Sequence, residues 1–133
     1  MLEIGLKGQQ SETVTNDKTA AEMGSGTLPV YATPAMIALM EKTAMLSVSE
    51  ELGENEATVG TNLEIAHLAA CGLGTEITCT SELIEIDRRR LVFTVKVFDD
   101  KELLGEGIHE RFIVDNAKFI ARLDEKKKSL GIL

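Results

Sequence analysis

The stretch TPAMIALMEKTAMLSVSEELG, residues 33–53, is the strongest helix signal in the chain and decides how the rest can fold. It predicts a helix over residues 35–52, with Thr33 as N-cap, Pro34 in the first turn and Gly53 just beyond the end. The first six helical residues are apolar on every side, and a helix of that kind is buried over most of its surface. The second half becomes polar, so we expect the helix to leave the core there.

The sequence after this helix changes to a hydrophobic period of two, which is typical of strands. Four strands are predicted, joined mainly by short turns. Their alternating segments are residues 59–65, 77–83, 91–97 and 104–114. In the first of them, we expect Val59, Thr61, Leu63 and Ile65 on one face of the strand and the even-numbered residues on the other.

The remaining segments lie toward the two ends of the chain. Residues 2–7 alternate between apolar and polar side chains as in a half-buried strand, and residues 16–23 are compatible with a short helix. The Gly-Ser-Gly stretch at 24–26 is expected to form a turn or a flexible lid. A closing helix is predicted over residues 117–128, with Asn116 as its cap.

The order of these elements predicts the fold: one strand, a long buried helix and four more strands. Short connections make neighbouring strands antiparallel, and a helix that is apolar all round needs a curved sheet to cover it. The predicted class is therefore α+β, a hotdog fold with a curved antiparallel sheet wrapped around one long central helix, and residues 1–133 as a single domain. Such a sheet leaves an edge strand unpaired, so we expect a homodimer formed through the sheet edge and the central helix region.

The composition of the chain limits its partners and its compartment. The formal net charge of −8 argues against a general nucleic-acid or anionic-membrane binder. An anionic small ligand is still compatible with it, because residues 88–90 and 126–128 form local basic clusters. Two cysteines, Cys71 and Cys79, are too few for a disulfide framework, and no apolar run resembles a signal core or a membrane span. We therefore expect a cytoplasmic protein.

Two ionisable residues stand out against apolar surroundings. Glu41 follows a run of apolar helical residues, so its carboxylate either marks the point where the helix emerges, paired with Lys42, or is functional. His67 continues the odd-numbered face of the first long strand. A histidine at such a position is either a hydrogen-bonded structural residue or an acid–base catalyst.

Three further residues are candidates for the same site. Thr33 is explained as a helix cap, yet a capping hydroxyl can also face a ligand beside the free N–H groups of a helix. Gly60, inside a strand, permits either tight packing or the close approach of another group. Arg111 either forms a surface ion pair or orients a carboxylate. The sequence has no phosphate-binding loop, dinucleotide-binding motif, serine nucleophile elbow or zinc-ligand set, so no metal is expected.

Six short motifs, ordered along most of the chain, resemble the fluoroacetyl-CoA thioesterase-like family of hotdog proteins. They are residues 24–26 (GSG), 28–34 (LPVYATP), 38–41 (ALME), 59–61 (VGT), 65–67 (IAH) and 107–112 (GIHERF). The resemblance implies a dimeric acyl-CoA thioesterase whose site lies at the subunit interface and whose coenzyme A is part of the substrate, with no separate cofactor. It places the family's catalytic residues on Thr33, Glu41 and His67. It also implies that Gly60 lines the acyl site and that Arg111 supports the glutamate.

The chemistry of such a site leaves two routes open. Glu41 either attacks the thioester carbonyl or acts as a base toward water, while His67 activates the water or protonates the departing thiolate. A short-chain acyl-CoA is the expected substrate, since no lid and gate for fluoroacetyl selectivity can be placed. The alternatives are a non-catalytic acyl-CoA-binding module and a thioesterase for another carrier. A hotdog hydratase would need an Asp/His constellation that the sequence does not show.

Overall fold

A computed structural model describes residues 1–132 and contains five strands, three α-helices and one 3₁₀ turn in that range. In chain order they are β1 (Lys7–Thr13), the 3₁₀ turn (Asn16–Lys18), α1 (Ala20–Met23), α2 (Thr33–Ser49), β2 (Glu56–His67), β3 (Glu76–Asp87), β4 (Arg90–Phe98), β5 (Leu103–Asp115) and α3 (Asn116–Ser129).

The five strands form one antiparallel sheet in the order β1-β3-β4-β5-β2. The helix α2 packs on one face of this sheet, with Met36, Met40, Ala44 and Val48 fully buried. These residues recur every four positions, so they form one side of the helix. The predicted hotdog fold, a curved antiparallel sheet around one long helix, is confirmed.

The central strands follow the predicted alternation closely. Their inward residues are buried in the described chain: Ile77, Cys79, Ser81 and Leu83 from β3, and Leu91, Phe93, Val95 and Val97 from β4. Successive side chains of a strand point to opposite faces of the sheet, one against α2 and the other away from it. The alternation in the sequence therefore corresponds to the two faces of the sheet.

The predicted strand over residues 2–7 is wrong, because the first strand is β1 at Lys7–Thr13. Gly5 has φ +99° and interrupts any extended run before it. The sequence of β1 lacks the alternating apolar residues by which a strand is recognised, because Gly8, on its inner side, lies directly against α2. A Cβ at Gly8 would come within 2.9 Å of the Thr43 carbonyl oxygen, so close packing replaces a large apolar side chain there.

The ends of the predicted helices also differ from the structure. Ala32, with an extended backbone, is the N-cap of α2, so the prediction of Thr33 as the cap is wrong and Thr33 is the first helical residue. The helix stops at Ser49 rather than residue 52, because the amide of Glu51 bonds the Val48 carbonyl in a tighter, 3₁₀-type turn. Asp115, not Asn116, caps α3: its carboxylate accepts a hydrogen bond from the Lys118 amide.

A β-bulge in β2 changes which of its residues face the helix. The register against β5 shifts between Gly60 and Asn62, leaving Thr61 without a partner. Before the bulge Thr58 and Gly60 face inward; after it the inward residues are odd-numbered, ending at His67. The prediction that Val59 shares a face with Leu63 and Ile65 is therefore wrong, because the extra residue, Thr61, reverses the alternation.

The surface of α2 is not covered on all sides within one chain. Ala38, Met45 and Leu46 are exposed, although the sequence pattern predicts burial over most of the first half of the helix. These residues lie on the side of α2 away from the sheet. Within residues 1–132, no helix is long and apolar enough to cross a membrane.

Candidate active site

Thr33 and His67 are in direct contact. Thr33 Oγ1 lies 2.7 Å from His67 Nδ1, which joins the first residue of α2 to the last residue of β2. Because Ala32 rather than Thr33 is the cap, the Thr33 hydroxyl is not used on the helix backbone and is available to the imidazole. The interpretation of Thr33 as only a cap is thus wrong, and the structure brings these two candidate residues into contact.

The other ring nitrogen of His67 is unengaged. His67 Nε2 is buried and has no hydrogen-bond partner among residues 1–132. Both residues line a cavity of about 360 Å³, which Tyr31, Ser25 and Ala70 also border. A buried ring nitrogen without a partner is costly in a structural histidine, but it suits one that exchanges a proton with a bound molecule.

Glu41, in the middle of α2, lies opposite Gly60 of β2. A Cβ added to Gly60 would come within 2.7 Å of Glu41 Oε2, so the absence of a side chain makes room for the carboxylate. The bulge in β2 turns Gly60 inward to this position. Glu41 Oε2 also lies 3.7 Å from Arg111 Nη1. The alternative that Glu41 pairs with Lys42 is wrong, since its ion pair is with Arg111.

Arg111 is held in a fixed position inside the sheet. Its Nε donates to Thr58 Oγ1 at 2.8 Å and its Nη2 donates to the Thr58 carbonyl at 2.9 Å. Only 5% of the residue is exposed, so the alternative of a surface ion pair is wrong. Burial lowers the pKa of Arg111, and the neighbouring Glu41 carboxylate offsets only part of this change. A guanidinium with these fixed contacts presents a positive charge to Glu41 and holds its carboxylate in place.

His109 belongs to the same group, and the sequence did not single it out. Its Nδ1 lies 2.9 Å from the carbonyl oxygen of Asn62, to which it donates, and its Nε2 accepts from Arg111 Nη1 at 3.1 Å. Burial, with the neighbouring Arg111 charge, lowers the pKa of His109, so the ring is neutral. The signal for it lay in β5, where Gly105, Gly107, His109 and Arg111 alternate on the face turned toward α2.

The lowered pKa of His109 predicts a loss of stability in mild acid. Between about pH 6.5 and the depressed folded pKa, the unfolded chain binds a proton that the folded chain does not, so the free energy of unfolding falls as pH falls, by up to about 1.4 kcal/mol per pH unit. Urea denaturation across this range should show that slope. His109→Gln should reduce it, whereas His67→Gln, the change at the other histidine, should retain it. Equal slopes in wild type and His109→Gln would contradict the assignment.

Within one chain the candidate residues form two groups rather than one. Thr33 and His67 line one cavity, and Glu41, Gly60 and His109 line another of about 200 Å³, with Arg111 behind it. Glu41 is eight positions after Thr33 in the helix, which corresponds to about 12 Å along its axis. Both cavities open beside β2, one of the two edge strands of the sheet.

Comparison with known proteins assigns the family. Residues 14–117 match the FlK family, described as fluoroacetyl-CoA-specific thioesterase. This chain belongs to that family. The fluoroacetyl-CoA thioesterase of Streptantibioticus cattleyicolor is 34% identical to it over 97 residues, covering 73% of this chain and 70% of the relative. The predicted family and enzyme class, an acyl-CoA thioesterase, are therefore confirmed.

Solved structures of FlK-family and related proteins share the whole fold. One structure of the fluoroacetyl-CoA thioesterase FlK superposes with a TM-score of 0.89 at 29% identity, covering 95% of this chain and 98% of the other. An FlK mutant in complex with acetyl-CoA gives 0.90 at 27% identity, covering 94% and 98%. A thioesterase superfamily member from Thermus thermophilus gives 0.90 at 25% identity, covering 97% and 96%. The shared fold therefore extends over nearly the whole of the chain.

Proposed function

We propose that this FlK-family member hydrolyses short-chain acyl-CoA thioesters to the carboxylic acid and free CoA, with Thr33, Glu41 and His67 as catalytic residues. Gly60 and Arg111 would shape the binding site around the glutamate. The observation that carries the proposal is the 2.7 Å contact between Thr33 Oγ1 and His67 Nδ1, which leaves His67 Nε2 free for proton transfer. A hydrolysis of this kind uses side chains and water, and coenzyme A enters as part of the substrate.

The reaction can run by two routes through these groups. In the first, a Glu41 oxygen attacks the thioester carbon, the C–S bond breaks to give a mixed anhydride, and water then cleaves the anhydride. In the second, Glu41 removes a proton from water, which attacks the same carbon directly. In both routes His67 delivers a proton to the departing thiolate or takes one from water. Arg111 supports either role of Glu41, because its fixed guanidinium lies 3.7 Å from the carboxylate and orients it.

The size of the cavity beside Glu41 favours a small acyl group. It encloses about 200 Å³ and is bordered by the apolar side chains of Ile37 and Leu63 as well as by Gly60. A short, uncharged acyl chain fits such a space, whereas a long chain would require Ile37 or Leu63 to move. We therefore place the acyl end of the substrate there.

A homodimer would unite the two groups of catalytic residues. The outer edge of β2 has no strand partner within residues 1–132, and Ala38, Met45 and Leu46 of α2 are exposed nearby. Antiparallel pairing of β2 with its copy would bring the His67 end of one strand toward the Gly60 part of the other, and would also cover the exposed side of α2. We propose that each site combines Thr33 and His67 of one subunit with the partner subunit's Glu41.

The two cysteines bear on the compartment in which the protein works. Cys71 and Cys79 are both free thiols, and burial raises the pKa of each, to about 11 for Cys79. Thiols held in their protonated form are unreactive and compatible with the reducing cytoplasm. We propose that residues 1–133 work there as one hotdog domain.

Gly60→Ala is expected to reduce turnover without unfolding the protein. The new methyl group would come within 2.7 Å of Glu41 Oε2 and 3.2 Å of His109 Cε1, so the carboxylate must move. A displacement of about 1 Å in a catalytic group costs roughly a hundredfold in kcat. The matched control is Gly72→Ala, where no atom lies within 4 Å of the added carbon, and its kcat should be unchanged. A Gly60→Ala enzyme with wild-type kcat would remove Glu41 and Gly60 from the site.

The proposed activity is tested by following thiol release from a panel of acyl-CoA esters of increasing chain length, with His67→Ala in parallel. We expect turnover to be highest for the shortest chains and to be lost in the variant. Tight binding of acyl-CoA by calorimetry without turnover would instead indicate the acyl-CoA-binding module. Turnover of acyl-pantetheine or acyl-carrier-protein esters in preference to CoA esters would indicate a different carrier.

A further inference from the structure

A third cavity, lined by none of the proposed catalytic residues, carries an unusual set of side chains. It encloses about 290 Å³ between the end of β5 and the first turns of α3. Three cationic residues, Arg89, Lys118 and Arg122, line it together with the aromatic rings of Phe112 and Phe119. The proposed reaction uses none of these five residues.

The cations in this cavity belong to a local concentration of positive charge on an acidic chain. The net charge is −8, yet eight of the fourteen Lys and Arg residues lie in the two segments 88–90 and 118–128. The fold brings these segments together, because Arg89 donates to the carbonyl of Ile113 at 3.3 Å, just before α3 begins. On a negatively charged protein, such a patch is where a polyanionic ligand would be retained.

The charged groups of the cavity are available to a ligand. Among residues 1–132, no carboxylate lies within 4.0 Å of the Lys118 or Arg122 side-chain nitrogens, and Arg89 has only a distant contact with Glu56, at 3.9 Å. The Asp115 carboxylate, which also borders the cavity, already accepts from the Lys118 amide at 3.0 Å. Phe112 and Phe119 are 42% and 37% exposed, so their faces can stack against a planar ring.

The position of the cavity relates it to the proposed catalytic site. Phe112 lies opposite Val59 across the β2–β5 ladder, and the amide of Asn116 bonds the Asn55 carbonyl, so the cavity sits at the Glu56 end of β2. In the proposed dimer, where β2 pairs antiparallel with its copy, this end would lie beside the His67 end of the partner strand. The cavity of one subunit would thus be next to the thioester site to which the partner contributes its histidine.

We infer that this cavity binds the phosphorylated adenosine end of coenzyme A, with Arg89, Lys118 and Arg122 on the phosphates and Phe112 or Phe119 against the adenine. Coenzyme A carries several negative charges and one aromatic base at the end opposite its thiol, which matches the set of side chains. The inference rests on the proposed function, because it assigns the far end of the same substrate.

The test compares coenzyme A with pantetheine, which has the same thiol arm without the nucleotide. The Lys118→Gln/Arg122→Gln double variant removes two charges from the cavity. The Lys126→Gln/Lys127→Gln double variant removes two charges from the same helix outside it. We expect the first to weaken coenzyme A binding by calorimetry about tenfold and to raise the KM for acyl-CoA similarly. Its affinity for pantetheine and its KM for acyl-pantetheine should not change, and the second variant should resemble wild type.

The outcomes separate this inference from the proposed function. If the two double variants weaken coenzyme A binding equally, the effect is one of net charge, and the cavity is not the site. If pantetheine binding falls as much as coenzyme A binding, the cavity does not hold the nucleotide. If wild type binds no coenzyme A, the inference is overturned. If wild type binds coenzyme A in a Lys118- and Arg122-dependent way but hydrolyses no thioester, the cavity assignment holds and the proposed enzyme activity fails.

Discussion

Glu41→Gln is expected to lower kcat for acyl-CoA hydrolysis by about a thousandfold, the loss typical of removing a general base or a carboxylate nucleophile. Glutamine has the shape of glutamate, so it fits opposite Gly60 and beside Arg111, but it can neither accept a proton from water nor attack a thioester. Because the substitution preserves shape, KM should change little. Steady-state kinetics on the best acyl-CoA of the panel measure both quantities.

The control for this prediction is Glu50→Gln, which removes an exposed carboxylate at the C-terminal end of the same helix. It should retain wild-type kcat and the same thermal midpoint. If Glu41→Gln keeps more than a tenth of wild-type kcat, both the nucleophilic and the general-base route fail. The role of Arg111 as the group that supports the carboxylate would then lose its basis as well.

Mixing two inactive variants is expected to restore activity, and this result would establish a site shared between subunits. In a dimer whose site combines His67 of one subunit with the partner's Glu41, a Glu41→Gln/His67→Ala heterodimer contains one site with both residues intact. Random exchange of subunits makes half of the dimers heterodimers, so activity should recover to about a quarter of the wild-type value. Each variant alone should stay near its residual activity.

A site formed within a single chain predicts a different recovery of activity in the same mixing experiment. If Glu41 and His67 of one chain acted together, every site in the heterodimer would lack one of them, and mixing would restore nothing. The control mixture is Thr33→Ala with His67→Ala. These two residues contact each other within one chain, at 2.7 Å, so no heterodimer site contains both and activity should stay low. Size-exclusion chromatography with light scattering shows whether the dimer is present before mixing.

Much of the fold could be predicted from hydrophobic period alone. The apolar run in α2 and the alternation in β3 and β4 report burial directly, because each of these elements has one or both faces against the core. The polar edge strand β1 was missed for the same reason. Its inner side reaches the helix through Gly8, so little apolar area marks it in the sequence.

The candidate residues could be predicted from unusual local sequence and from the family resemblance, but the contacts between them could not. A carboxylate after an apolar helical run and a histidine on an apolar strand face are visible in sequence. Their partners are not visible: Thr33 for His67, and Arg111 with Gly60 for Glu41. His109 was overlooked because a single buried histidine on a glycine-containing strand looks structural until its bond to Arg111 is seen.

The sequence by itself determined the central helix, the four-strand pattern after it and the family, because periodicity and ordered motifs depend only on neighbours along the chain. Tertiary structure decided the rest. The bulge at Thr61 reverses the faces of β2 and turns Gly60 toward Glu41, and the displacement of the cap to Ala32 releases the Thr33 hydroxyl to His67. Both depend on contacts between residues more than thirty positions apart, such as the pairing of β2 with β5, and no local pattern encodes a pairing register or a one-residue insertion.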